Sequence, residues 1–178
     1  MATHAAIDRL QPALLDRLTD LEPANRLERD ETRVMSKAQI REAVLRDLSW
    51  LLNAVQPMNA SLAERFPLAA TSVLNFGLPP LSGQAASRID LALLERELKE
   101  AILRFEPRVM SDALVVRAVE MSNVLDTHNV IEFEIRGFIW AQPVPLELLL
   151  RTQLDLEAGQ VEVRDLASGA APRRSTPG

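Results

Sequence analysis

Acidic side chains near the predicted strands are candidates for catalytic residues. Glycosidases cleave their substrates with a pair of carboxylates. Five acids lie in this part of the chain: Glu106, Asp112, Glu120, Glu132 and Glu134. A chain with 25 acidic residues offers many such pairs, and nothing in the sequence singles out one pair as having perturbed pKa values. We interpret these acids as a solvated face, and we keep a lysozyme-like glycosidase acting on peptidoglycan through Glu106 or Glu134 as the alternative function.

Other catalytic arrangements find no support in the sequence. The chain has no cysteine, which excludes disulfides, thiolate metal sites and cysteine nucleophiles. His4 and His128 are far apart, and no Gly-x-Ser-x-Gly elbow supplies a serine nucleophile. Gly77 and Gly83 stand among prolines rather than in a phosphate-binding loop. We therefore expect a protein that is not an enzyme and that holds no metal or cofactor.

The stretch Glu134-Ile135-Arg136-Gly137 is more informative, because it lies within a pattern of alternating apolar residues. Residues two apart on a strand share a face, so Glu134 and Arg136 lie side by side, about 6–7 Å apart. Gly137 falls on the apolar face, where glycine usually marks a bulge or the close approach of another backbone. Two interpretations stay open. The pair is either an ordinary surface ion pair worth less than about 1 kcal/mol, or it orients an edge or an interface for a partner.

The elements that position this strand begin with helices. Ser36 and Gln39 fit a capping box, and the apolar stripe that follows predicts a helix through Val55, ended by Pro57. Turn-forming residues predict that the following segment, residues 57–87, is mostly irregular. A second helix is then expected from about Ile89 to Phe105.

Beyond the second helix the hydrophobic period becomes that of strands. Strands are predicted over residues 109–121, 130–140, 146–156 and 161–164. Ala158-Gly159 is typical of a hairpin turn between the last two. Helices followed by antiparallel strands predict an α+β fold. In this fold the N-terminal helices pack on a small antiparallel sheet that ends in a C-terminal β-hairpin.

The C-terminal hairpin has an apolar face. Its members are Leu148, Leu150, Leu154, Val161 and Val163. Such a hairpin presents an edge that a strand of another chain can extend, although proteins normally blunt such edges. Polar residues available for blunting are Arg151, Gln153, Asp155 and Arg164. The sequence leaves the choice between an extensible and a blunted edge open.

Three regions follow from these patterns: a helical arm with a charged linker over residues 1–35, an α+β domain over residues 36–165, and a disordered tail over residues 166–178. The arm's apolar stripe includes Leu14, Leu15 and Leu18. A helix this short cannot bury its stripe by itself, so we expect the arm to dock on the core or on a partner. The net charge of -5 argues against a nucleic-acid binder. Without an export signal or a span of about 20 apolar residues, we expect a cytoplasmic protein with no membrane insertion.

Five segments, in order along the chain, resemble the TssE family, the small baseplate subunits of bacterial type VI secretion systems. They also resemble the wedge proteins of contractile phage tails that are labelled lysozyme-like. The segments are residues 14–18, 46–53, 72–79, 105–108 and 134–137. Each is short, but together in this order they are specific, and they span most of residues 14–165.

The resemblance implies a structural role without catalysis. In the family, the subunit occurs in multiple copies in a ring-shaped baseplate at the cytoplasmic face of the inner-membrane complex. It contacts TssF, TssG and TssK and connects them to the TssB/TssC contractile sheath. The first sheath ring is thought to add strands to its sheet. The resemblance assigns the sheath-docking motif to Glu134, Ile135, Arg136 and Gly137, with the hairpin as the accepting element. It assigns the contact with a neighbouring wedge subunit to the segment of Leu14, Leu15 and Leu18.

Overall fold

A computed structural model describes residues 13–19, 35–80, 90–119 and 130–166 of the chain. The predicted tail falls outside this part of the chain except for Leu166, and so do most residues of the predicted N-terminal arm. The described helices are α1 (Leu14–Leu18), α2 (Lys37–Asn53), α3 (Ala60–Arg65), α4 (Pro67–Ala70) and α5 (Leu91–Phe105). The described strands are β1 (Val115–Val119), β2 (Val130–Ile139), β3 (Leu146–Asp155) and β4 (Gln160–Asp165).

Helix α2 begins as the sequence predicts and ends earlier. The Ser36 side chain accepts a hydrogen bond from the Gln39 backbone, and the Gln39 side chain accepts one from the Ser36 backbone, which completes the capping box. The prediction that the helix runs through Val55 to Pro57 is wrong, because it ends at Asn53. Beyond that point the backbone pairs with Leu78 instead, and Val55 is 60% exposed.

The segment after α2 is more regular than predicted. Helices α3 and α4 and a 3-10 turn at Val73–Asn75 replace the expected irregular chain. The side chain of Asn59 caps α3, and Pro67 occupies the first turn of α4, where a missing N–H costs nothing. These local signals act over four to six residues, which is too short for a periodicity to reveal.

Helix α5 confirms the second predicted helix. Asp90 caps it by accepting hydrogen bonds from two backbone N–H groups. The helix ends at Phe105, two residues before Pro107. Its buried face carries Leu94, Leu98 and Ile102, all at most 3% exposed. This face and that of α2 cover one side of the sheet.

The four described strands form one antiparallel sheet in the order β1-β2-β3-β4. Strands β2, β3 and β4 lie close to their predicted positions. The predicted first strand is too long, because a turn at residues 111–113 separates β1 from Val109, which forms an isolated bridge with Ile139. Fully buried side chains on the inner face include Phe133, Ile135, Leu148 and Leu150. The α+β prediction is thus confirmed.

Candidate partner-binding surface

The outer face of the sheet, the side away from α2 and α5, is charged. Strand register aligns one residue from each strand in a row across it: Arg117, Glu134, Arg151 and Arg164. The next row contains Glu132, Gln153 and Glu162. The side chains of Gln153 and Glu132 are hydrogen-bonded to each other. Alternation along the strands therefore gathers charges of both signs on one surface, as the sequence pattern predicts.

Glu134 and Arg136 form an ion pair on this face, as their spacing predicts. Arg136 Nε donates a hydrogen bond to Glu134 Oε1. This hydrogen bond, followed by the charge of Glu134, raises the pKa of Arg136. The Arg136 side chain is 67% exposed, whereas that of Glu134 is 20% exposed. The half-buried carboxylate thus orients a guanidinium that solvent or a partner can reach.

Ile135 and Gly137, the other two residues of the motif, face the core. Ile135 is fully buried. The β2–β3 register continues past Gly137 without a bulge. A Cβ at Gly137 would lie 3.5 Å from the Cα of Leu114. Of the two roles expected for this glycine, the structure supports the close approach of another backbone, and that approach is an ordinary van der Waals contact rather than a clash.

Arg151 lies in the middle of the outer face, on β3. In the strand register it lies opposite Glu134 of β2 on one side and opposite Arg164 of β4 on the other. Its Nε atom is buried and has no hydrogen-bond partner in the described part of the chain. A buried donor without a partner is uncommon in folded proteins.

The hairpin residues form the apolar face that the sequence predicts, and that face packs on the chain's own core. Leu148, Leu150, Leu154 and Val161 are buried and Val163 is half-buried. A partner would therefore meet the backbone edge of β4 rather than these side chains. Three of the residues considered for blunting have partners within the sheet or its turn: Gln153 bonds Glu132, Asp155 accepts from backbone N–H groups of the hairpin turn, and Arg164 pairs with Glu162.

A residue outside the hairpin contacts the β4 edge. Asn53, the last residue of α2, accepts a hydrogen bond from the Val161 N–H and donates one to the Val161 carbonyl, both at 2.9 Å. Sequence reasoning missed Asn53. Asn53 ends the family-like segment of residues 46–53, but neither that segment nor its place at the end of a helical stripe indicates a contact with a strand 108 residues away in the chain.

Helix α1 docks on the core through charges. Asp16 pairs with Arg46 of α2 at 2.7 Å, and Arg46 also pairs with Asp47. The hydrogen bond to Asp16 is the main cause of the raised pKa of Arg46. The Arg46 guanidinium also lies 5.2 Å from the ring centroid of Trp50. Of the two docking partners expected for the arm, the core is thus contacted by the described residues.

The three leucines of α1 do not take part in this docking. Leu14, Leu15 and Leu18 are exposed, two of them above 70%. The segment is attached by its polar side, so its apolar side faces away from the contact. Ile7 and Leu10, the earlier members of the predicted stripe, lie outside the described residues.

A second ion-pair cluster continues from Asp47. Arg108 contacts both Asp47 and the buried Glu106. Burial by itself would lower the pKa of Arg108, but its hydrogen bonds and charge interactions with Glu106 and Asp47 outweigh burial and raise it. Together with Arg46, these residues join α1, α2 and the chain after α5. These ion pairs hold the three parts of the chain together, and we interpret the cluster as structural.

The two acids considered for glycosidase chemistry are in different places. Glu106 borders a pocket of about 490 Å³ that is also lined by Trp50, Phe76 and Phe105. Glu134 does not line this pocket and lies on the outer face of the sheet. Asp112 is exposed in a turn, and Glu120 lies outside the described residues. Of the candidate acids that the structure describes, Glu106 alone lines the pocket.

No helix among the described residues combines the length and the apolar character needed to cross a bilayer.

Comparison with known proteins gives one family match. Residues 38–144, more than half of the chain, match the family model described as baseplate wedge protein gp25. No curated protein and no solved structure gives a significant match. The matched region runs from α2 to just beyond β2 and includes Glu134 and Arg136, whereas β3 and β4 follow it.

Proposed function

The chain belongs to the baseplate wedge protein gp25 family, and from this premise we propose that it is the TssE subunit of a type VI secretion system. Family membership supports a structural role in a phage-tail-like baseplate. In the proposed role, the subunit connects the baseplate wedge to the contractile sheath and starts sheath assembly by accepting a strand. Its partners are then TssF, TssG and TssK in the wedge and TssB/TssC in the sheath, and it acts in the cytoplasm.

The observation that carries the docking proposal is the exposed, oriented guanidinium of Arg136. An ion pair this exposed adds little to folding stability, so stability alone does not explain its fixed geometry. Glu134 accepts a hydrogen bond from the Nε–H of Arg136. Among the described residues, the two terminal amino groups are left for a partner. Guanidinium groups pair well with carboxylates because both are planar and bond in parallel, so the proposed partner surface carries an acid.

The sheet supplies the second part of the proposal. Strand β4 is an edge strand of the described sheet. Main-chain hydrogen bonds from an added strand provide affinity, and side-chain contacts nearby provide specificity. The buried leucines and valines of the hairpin then serve to hold β3 and β4 in a fixed shape. A sheath strand would pair with β4 while its neighbouring residues meet the charged outer face.

The N-terminal segment supplies the proposed wedge contact. Exposed apolar side chains that lie close together commonly mark protein interfaces. Leu14, Leu15 and Leu18 are such a group, and the Asp16–Arg46 ion pair fixes the helix that carries them. We assign this group to the contact with the neighbouring wedge subunit.

The proposed function involves no catalytic step, and no specific observation favours the glycosidase alternative. The acid of a glycosidase must deliver a proton to its substrate, whereas Glu106 is buried and both of its oxygens bond Arg108. A turbidity assay on purified peptidoglycan tests this alternative. We expect no clearing. Clearing that Glu134→Gln abolishes would replace the structural proposal with an enzymatic one.

Arg136→Ala tests the docking role. We expect cells that carry this variant to assemble few or no sheaths, scored as fluorescent sheath structures, while the purified variant unfolds at the same urea concentration as the native chain. Arg96→Ala is the matched control. Arg96 is also 67% exposed and lies near an acid, Glu100, but on α5. Normal sheath numbers with Arg136→Ala would refute the docking role.

The double variant Glu134→Arg with Arg136→Glu distinguishes two possible roles of the ion pair: stabilising the strand and binding the sheath. If the pair only stabilises the strand, exchanging the charges retains the attraction and sheath assembly partly survives. If Arg136 meets an acid on the sheath, the exchange places a carboxylate opposite that acid. We expect the double variant to fail as completely as Arg136→Ala.

A further inference from the structure

Arg151, at the centre of the outer face of the sheet, has a buried donor that its neighbours leave without a bond. Among the described residues, its Nε atom has no hydrogen-bond partner, and such a donor costs free energy because water no longer solvates it. Arg164, opposite Arg151 on β4, is itself a cation and pairs with Glu162. The residue opposite Arg151 on β2 is an acid, Glu134.

Glu134 lies among three arginines. Arg136 follows it by two residues on β2, and its Nε–H donates a hydrogen bond to Glu134 Oε1. Arg117 of β1 and Arg151 of β3 lie directly opposite Glu134 in the strand register. Residues in such positions have Cβ atoms about 4.5–5.5 Å apart, so an arginine at either position can reach the carboxylate. One carboxylate is therefore shared among three cations, and Arg136 holds it in the structure.

Exposure to solvent distinguishes the three arginines. The side chains of Arg136 and Arg117 are 67% and 75% exposed, so water solvates either guanidinium when it is unpaired. Arg117 also lies 3.9 Å from Glu95. Arg151 is half-buried, and its Nε–H is the donor that water does not reach. Of the three, Arg151 gains most from a bond to Glu134, because a buried polar group is costly until it is hydrogen-bonded.

We propose that Arg151 is a positioning residue that takes over Glu134 when Arg136 binds an acid of a partner. In this exchange the hydrogen bond from Arg136 to Glu134 breaks, Arg136 bonds the partner's carboxylate, and the Arg151 Nε–H bonds Glu134. The partner is a sheath protein, and this identification rests on the proposed function, whereas the exchange within the chain does not. Because Glu134 is never left without a cation, binding avoids the cost of an uncompensated, partly buried charge.

Nuclear magnetic resonance of the arginine Nε–H groups in the isolated full-length chain tests the exchange without a partner. Arg136→Ala frees Glu134 as a partner's acid would. We expect the Arg151 Nε–H signal to move downfield and its exchange with water to slow about fivefold, as for an ion pair of ordinary strength. Arg151→Lys identifies the signal by removing it. An unchanged Arg151 signal in Arg136→Ala would overturn the proposal.

Two further variants make this result specific. Arg96→Ala is the matched control, since Arg96 is as exposed as Arg136 and also lies near an acid, and it should leave the Arg151 signal unchanged. Adding Glu134→Ala to Arg136→Ala removes the acceptor and should reverse the shift. A shift that persists without Glu134 would overturn the proposal. A shift of the Arg117 signal in place of the Arg151 signal would also overturn it.

Sheath assembly in cells tests what the exchange contributes to docking. Arg151→Met keeps the apolar stem and removes the charge. We expect it to form fewer sheaths than the native chain and more than Arg136→Ala, at an unchanged urea midpoint. Arg151→Lys should recover part of the loss, because it keeps the charge without the planar fork. In a chain that carries Glu134→Ala, Arg151→Met should have no further effect, since coupled residues act non-additively. Native sheath numbers with Arg151→Met would overturn the proposal.

The outcomes separate this inference from the proposed function. If Arg136→Ala abolishes sheaths but leaves the Arg151 signal unchanged, the exchange is wrong and docking through Arg136 stands. If Arg136→Ala cells form normal sheaths, docking through Arg136 is wrong. In that case the Arg151 signal of the isolated chain still decides whether Arg151 takes over Glu134.

Discussion

Replacing Gly77 with alanine perturbs the point where the chain after α4 returns to the end of α2. Gly77 has a φ of +120°, a conformation that residues with a Cβ rarely adopt. A Cβ built there would lie 2.4 Å from the carbonyl oxygen of Ala54. That oxygen accepts a hydrogen bond from Leu78 at 2.8 Å. The substitution therefore forces either the backbone of Gly77 or the end of α2 to move.

The expected cost combines two terms. Holding a residue in a disfavoured backbone conformation costs about 1–3 kcal/mol. Moving the Ala54 carbonyl sacrifices its bond to Leu78, worth about 1 kcal/mol. We expect Gly77→Ala to lower the free energy of unfolding by about 3 kcal/mol. With a urea dependence of about 2 kcal/mol per molar, the unfolding midpoint falls by about 1.5 M.

Gly137→Ala is the matched control within the same chain. Gly137 has no positive φ, and its added Cβ would meet Leu114 at 3.5 Å, an ordinary contact distance. Alanine is favoured over glycine in a strand interior by roughly 0.5–1 kcal/mol, which offsets any small repacking. We expect the midpoint for Gly137→Ala to stay within about 0.5 M of the native chain.

Urea unfolding followed by the fluorescence of Trp50 and Trp140 measures both variants. The reasoning would be refuted if Gly77→Ala unfolded at the native midpoint. It would also be refuted if Gly137→Ala lowered the unfolding midpoint more than Gly77→Ala did. In that case Gly137, and not Gly77, would be the position that does not tolerate a side chain.

Three further substitutions test the interior and the surface. Glu106→Gln leaves the Arg108 guanidinium without its buried counter-charge, so urea unfolding should show a loss of about 2 kcal/mol. Asn75→Ala removes a buried amide that bonds two backbone groups of the chain after α2, and the same assay should show a loss of about 1–3 kcal/mol. Burial, the largest cause, raises the pKa of Glu97, so the native chain loses stability as pH rises through that pKa. Glu97→Gln should lessen this loss in melting temperatures measured from pH 4 to 7.

Periodic patterns predicted the main elements well. The capping box at Ser36, the stripe of α5 and the alternation of β2, β3 and β4 all depend on neighbours within one element, which a sequence displays directly. The pairing of Glu134 with Arg136 follows from the same alternation.

Features that depend on contacts between distant segments were not predictable. Helix α2 ends at Asn53 because its continuation pairs with Leu78, and no local signal announces that pairing. The contact of Asn53 with Val161 joins residues that are remote in the chain. Short helices after α2 escaped prediction because they are specified by single caps and one proline rather than by a period.

Electron cryo-microscopy of the assembled apparatus tests the central claim most directly, namely that this subunit accepts a sheath strand on its sheet. We predict density for an extended sheath segment hydrogen-bonded to the edge of β4, with an acidic side chain of the sheath against Arg136. Density showing β4 without an added strand, and Arg136 facing only solvent, would contradict the account.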